Sequence, residues 1–218
     1  MPVNYTPLAN GQFATAVNFN APLEQLDSAI QQVRGQSKMF EARISGSAAL
    51  AVPGTNITAL TTIYLHRYKG NNILLWNGSS WSVYQVPSTP LSLSLAGLTA
   101  NTNYDIFLDW NGGAPALRAQ AWLNNSTRQV GIDTLTEGVL LLTGTPTYRY
   151  AGTIRIGATT GQTEDSESHR LIWNYANRVR RYFRVLSTSS HTYTTATVRA
   201  WNNNNAIRYD FVVGVAED

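Results

Sequence analysis

The chain has 218 residues, a mass of 24.0 kDa, a formal net charge of +3 and no cysteine, which excludes disulfide scaffolds, thiolate metal sites and cysteine nucleophiles. Charged residues are only 13% of the total against 43% hydrophobic and 11% aromatic, a balance that excludes coiled coil and disorder and leaves enough apolar surface for a core. The 24 Thr, 19 Asn and 16 Gly suit pleated strands joined by tight turns. Residues 1–38, rich in Asn, Gln, Ala and Thr, read as an arm. The opening Met-Pro-Val-Asn-Tyr-Thr has neither the basic nor the apolar region of a secretory signal, and no apolar run is long enough to span a membrane.

One short helix is expected inside the arm. Asn20 is its N-cap, Pro22 falls in the first turn, Glu24 and Asp27 lie near the positive end of the dipole, and Gly35 ends it. Leu23, Leu26, Ile30 and Val33 recur at spacings of three and four and form one narrow apolar stripe. A helix this short is marginal alone in water. Its stripe is therefore the expected anchoring and oligomerisation element, packing on its own body or on copies of itself.

From Met39 the hydrophobic period changes to two, and turn signals return every eight to twelve residues. Strands are expected at Met39–Ile44 and Thr62–Tyr68. Asn72–Trp76 and Trp81–Val86 flank Asn77-Gly78-Ser79-Ser80, a strong hairpin signal because Asn-Gly tolerates positive φ. Leu91, Leu93 and Leu95 alternate with serines. Tyr104–Trp110 and Pro115–Leu123 form a second hairpin around Asn111-Gly112-Gly113, and Val139–Leu142 with Thr147–Ile156 a third around Gly144-Thr145-Pro146. The stretch from Leu98 to Tyr104 resembles the tyrosine corner of fibronectin type III domains, where the phenol anchors a loop to the backbone.

A second helix is expected over Thr163 to about Asn177, with Glu164, Asp165 and Glu167 at its start and Arg178, Arg180 and Arg181 past its end. Arg178–Val185 then reads as a strand, and a last hairpin pairs Thr192–Trp201 with Ile207–Val215 across Asn202–Asn205. The expected fold is mainly β: an antiparallel β-sandwich, jelly-roll or immunoglobulin/fibronectin-like, over residues 39–218, with a sub-boundary near 157–165, the helical arm and one further helix.

The chemistry-bearing residues are sparse. His66, His169 and His191 lie far apart and share no metal-ligand spacing, so each is expected to be structural. No G-x-S-x-G elbow is present. Asp105 and Asp109 fall four apart on one strand face, ~13 Å along an extended chain, outside both hydrolase carboxylate separations, and are expected to be solvated. A glycan-cleaving enzyme using Glu164, Asp165 or Asp109 ranks last among the readings. Catalytic residues, metals and cofactors are not expected.

Charge is uneven, because Ser168–Tyr209 holds seven Arg and no acid. Fourteen Arg against two Lys favours forked pairing and stacking over diffuse attraction. Arg178, Arg180, Arg181 and Arg184 are the candidate contacts to an acidic partner, with subunit pairing ahead of nucleic acid. Trp76, Trp81 and Trp110 sit at or beside hairpin tips, where an exposed ring can stack on a partner or a sugar. A carbohydrate-binding or receptor-binding module is accordingly the second reading.

Five segments carry a resemblance: PLEQLDSAI (22–30), YKGNNILLWNGSSW (68–81), NYDIFLDWNGG (103–113), EDSESHRLIWNYANRVRR (164–181) and FVVGVAED (211–218). Together they resemble a family of bacteriophage virion proteins found as tail-fibre or capsid-surface components. The resemblance implies a non-enzymatic, antiparallel β module, homotrimeric, made in the host cytoplasm and joined to other virion proteins of capsid or tail through its N-terminal part. It implies a role in capsid decoration or host attachment, with a host surface glycan as a possible outside partner. Closed symmetry would let three weak stripes at residues 22–34 meet on one axis.

Overall fold

The computed structural model describes residues 39–135, 138–188, 190, 192, 194, 196–201, 204 and 207–215. The expected arm helix, with Leu23, Leu26, Ile30 and Val33, lies outside the described residues, as do His191 and most of the Asn202–Asn205 turn.

The described chain is mainly β and builds several antiparallel sheets. In chain order the strands are β1 (Ala42–Ser45), β2 (Ile57–Leu60), β3 (Thr62–Arg67), β4 (Asn72–Trp76), β5 (Trp81–Gln85), β6 (Leu91–Ser94), β7 (Asn103–Asp109), β8 (Ala116–Ala121), β9 (Ile132–Leu135), β10 (Val139–Leu142), β11 (Thr145–Arg155), β12 (Thr163–Asp165), β13 (His169–Arg170), β14 (Ile172–Asn174) and β15 (Asp210–Phe211). Three sheets run in the orders β1-β3-β6, β8-β7-β11-β10-β9 and β15-β13-β12-β2, and β4 with β5 makes a two-stranded sheet whose Ile73 also bridges Phe40. The eleven-residue β11 is the spine: β7 covers one edge, and β10 and then β14 take the other in turn.

The three expected hairpins form because their turns are chemically prepared. Asn77 bends β4 into β5 by accepting the amides of Ser79 and Ser80 on its side-chain oxygen at 2.9 and 2.8 Å, next to Gly78 at φ +104°. Between β7 and β8, Asn111, Gly112 and Gly113 form one 3-10 turn with φ of 45°, 66° and 97°, values that Asn and Gly accept at least cost. The amide of Thr99 donates to the Tyr104 phenol oxygen at 2.8 Å, so the tyrosine ties its loop to the body as the sequence suggests.

One core cluster joins Ile44, Ile63 and Leu65 of the three-stranded sheet to Ile73 and Leu75 of β4 and to Ile106, Leu108 and Ile154 of the six-stranded sheet, all at most 1% exposed. A second, aromatic cluster gathers Phe107, Tyr150, Tyr148, Trp173 and Tyr175.

Four expectations are corrected. Thr163–Asn177 is extended, not helical. Trp173 and Tyr175, two apart, both reach the aromatic cluster, a period-two demand that a helix cannot meet. Gly152 lets β14 come close enough that an added Cβ there would lie 2.2 Å from the Trp173 carbonyl oxygen. Second, Arg178–Val185 forms no strand. Third, the described parts of Thr192–Trp201 and Ile207–Val215 do not pair with each other; β15 instead runs parallel to β13, with His169 opposite Asp210. Fourth, Asp105 and Asp109 are buried, at 1% and 6% exposure. Arg128 and Arg118 reach over from neighbouring segments to pair with them at 2.7 and 3.3 Å, so carboxylates whose charge is met inside need no solvent. Among the described residues no helix is long and apolar enough to cross a membrane.

Candidate functional site

Two asparagines prepare the arginine-rich face. The Asn174 side chain brackets Ile44, accepting its amide at 2.7 Å and donating to its carbonyl at 3.0 Å. Asn177, held at φ 54°, donates to the carbonyls of Phe40 and Ala42 at 2.7 and 2.9 Å. These side chains take over the hydrogen bonding along β1 that a further strand would supply, and they hold the chain at 174–177 beside Arg43.

Asp165, on β12, is the hub of the face. Its two oxygens accept from Arg170 at 2.7 Å and Arg181 at 3.1 Å. Arg170 also donates to the Tyr182 carbonyl at 3.3 Å, and Arg181 to the Pro53 carbonyl at 2.7 Å. Arg43, 6% exposed, spends its donors on the carbonyls of Ala51 and Asn177 at 3.1 and 2.7 Å. Burial, and then the neighbouring charge of Arg181, hold the Arg43 guanidinium below its usual pKa. Arg178 lies over the Trp173 ring at 5.2 Å. A cavity of about 190 Å³ is lined by these four arginines and Asp165, with Trp173, Phe183 and Phe211 among its aromatic walls.

Of the four arginines singled out in the sequence, the structure brings Arg178 and Arg181 into this cavity; Arg180 and Arg184 are exposed outside its lining. Arg43 and Arg170 complete the cluster. Arg170 belongs to the acid-free stretch and was legible by composition, whereas Arg43 comes from the other end of the body and carried no local signal. No family model, no curated protein and no solved structure matches the chain. The site must be read from its own residues.

The tryptophans at the hairpin tips are half-buried. Trp76 and Trp81 pack edge to face across β4 and β5, with centroids 5.5 Å apart, and Trp110 packs against the main core. Trp201, which the sequence did not single out, is 60% exposed. It belongs to a wider pattern: of twelve exposed large apolar side chains among the described residues, eight fall in Tyr182–Val213.

A second cleft, of about 570 Å³, opens beside β13 and is lined by Asn101, Asn103, Arg155, Glu164, His169 and Asp210, among others. His169 stands between two carboxylates, with Glu164 3.1 Å from Nδ1 and Asp210 3.3 Å from Nε2. The acids approach opposite ring nitrogens, so the three cannot converge on one cation. Their geometry clips β15 to β13. His66 reaches the Ser47 carbonyl at 2.7 Å through Nε2.

Proposed function

We propose that this chain is a non-enzymatic structural module of a bacteriophage particle, assembling as a homotrimer at the particle surface and contributing to particle stability or host attachment. Its body is a β-sandwich, in which the β1-β3-β6 sheet faces the six-stranded one. The observation that carries the reading is the stretch after Asn177. It forms no strand before Asp210 among its described residues, yet it exposes Tyr182, Phe183, Leu186, Val198, Trp201 and Tyr209 at 40% to 96%.

Exposed apolar side chains of this number on a stretch without strand structure are stabilised when another surface covers them. Further copies of the same chain supply that cover at no cost in specificity, because closed symmetry repeats each contact. The sequence segments that resemble those of phage surface components support the particle as the place of assembly, and the stripe of Leu23, Leu26, Ile30 and Val33 supports the arm as a contributor.

Sedimentation of the full chain tests the stoichiometry. Three 24.0-kDa copies are expected to move as one species, and Leu26→Asp with Ile30→Asp to dissociate it. A folded parent that stays monomeric at high concentration counts decisively against the proposal. Cryo-EM of particles carrying a tagged chain then locates it on head or tail; tagged chain absent from purified particles removes the virion role.

A further inference from the structure

The cleft beside β13 holds about 570 Å³, inside the range of roughly 300–1,000 Å³ that small-molecule sites occupy. Part of its lining is rich in side-chain amides that are already held in place. Arg155 Nη1 donates to the side-chain oxygens of Asn103 and Asn125, each at 2.9 Å, and the Asn103 amino group donates to the Asn125 carbonyl at 3.2 Å. These bonds join β7, β11 and the turn at 123–127 into one preset polar surface beside Asn101. Another part of the lining is aromatic: Phe211 and Tyr209 are exposed, and Phe183 packs edge to face against both, with centroids 5.8 and 5.4 Å away. Charge narrows the ligand class. Arg155 and Arg208 in the lining are matched in number by Glu164 and Asp210; Arg208 pairs with Asp210 at 3.1 Å, and His169 stands between the two acids. A lining so matched offers an ion no excess of either sign.

We propose that this cleft binds a neutral saccharide. Side-chain amides donate and accept at once, as sugar hydroxyls do, and an aromatic face takes the apolar side of a sugar ring. Asn101, Asn103, Asn125 and Arg155 meet the hydroxyl groups, and Phe211, with Tyr209 beside it, carries the ring face. Holding the amides in place before the ligand arrives lowers the ordering cost of binding. For its biological use the inference rests on the host-attachment part of the reading above, whereas the site itself is built by one chain.

The test applies the labelled full chain, and its Leu26→Asp/Ile30→Asp variant, to an array of neutral glycans (hexose and N-acetylhexosamine oligosaccharides) and acidic ones (sialylated and uronate-bearing). Calorimetric titration follows with the neutral glycan that binds most strongly. Neutral glycans are expected to bind in preference to acidic ones, at one site per chain. Asn125→Ala and Phe211→Ala each weaken binding about tenfold, and Asn125→Ala, on an exposed turn, keeps the unfolding midpoint within about 2 °C of the parent. Binding by the dissociated variant alone supports the site and puts its mouth between copies. Silence from both proteins, binding of acidic glycans only, or an affinity undiminished in Asn125→Ala and Phe211→Ala alike overturns the proposal. Silence with the chain present on purified particles removes the saccharide and leaves the particle role; binding with the chain absent from particles does the reverse.

Discussion

Residues 39–177 and residues 178–215 come from one chain and obey opposite rules. In the first region strands pair with strands, and the buried charges are answered by partners. Asp105 accepts from Arg128 and from Thr153, which shares a hydrogen bond with Tyr150, while Arg128 lies over Trp122 and donates to the Gly214 carbonyl at 2.8 Å. Among the described residues of the second region, strand structure is reduced to the two residues of β15, and large apolar groups face outward. The contrast teaches that compactness is finished inside the body and deferred in the tail. In the proposed assembly, apolar burial worth about 25 cal/mol per Å² becomes available to the tail where copies meet.

The comparison can be broken most sharply at the body's buried charge network. Asp105→Ala strands Arg128 and is expected to cost about 3–5 kcal/mol in urea unfolding; a loss under 1 kcal/mol would show the network to be ornamental. Gly214→Ala places a Cβ 2.0 Å from the Tyr150 hydroxyl, at a point where the tail is sewn into that network. It should cost about 1–3 kcal/mol and speed hydrogen exchange at the Val212 amide, which bonds to the Arg170 carbonyl. Unchanged exchange there would mean that the tail is held elsewhere.

Acidity offers a milder probe of the same network. Burial, reinforced by the negative charge of Asp105, raises the Tyr150 phenol above its ordinary value of 10.0. The unfolded chain then ionises first, so the stability that Tyr150 contributes is full below pH 10 and is lost as pH rises beyond it. Wild type should lose up to about 1.4 kcal/mol per pH unit more than Tyr150→Phe above pH 10. Parallel pH profiles for the two proteins refute the assignment. The smallest effect on stability belongs to the tail: Val198→Ser and Trp201→Ser are expected to leave the body's unfolding within about 0.5 kcal/mol and to weaken self-association by tenfold or more. Destabilised bodies with intact assemblies would reverse the division.

The body was legible because its signals are local. Asn77-Gly78, Asn111-Gly112-Gly113 and Gly144 fix three hairpins from adjacent residues, and Tyr104 announces its corner five residues from its partner Thr99. The misreadings share another cause. Acids at Glu164, Asp165 and Glu167 mimic a helix start, and only the distant Arg181 and the close-packed Gly152 make an extended chain the better solution. Asp105 looked solvated because Arg128, its partner, is 23 residues away. β2 and β9 have no alternation to reveal them; they exist as partners of β12 and β10. At the arginine cavity the sequence showed the cluster but not Arg43, which only tertiary structure brings near.

Hydrogen exchange along Tyr182–Trp201, followed across a concentration series of the full chain, reaches the central claim most directly. The account predicts amides that exchange freely in dilute solution and become protected, together, as the trimer forms, with the body's protection constant throughout. Rates in this segment that never change with concentration, in a chain whose body is fully protected, would contradict it.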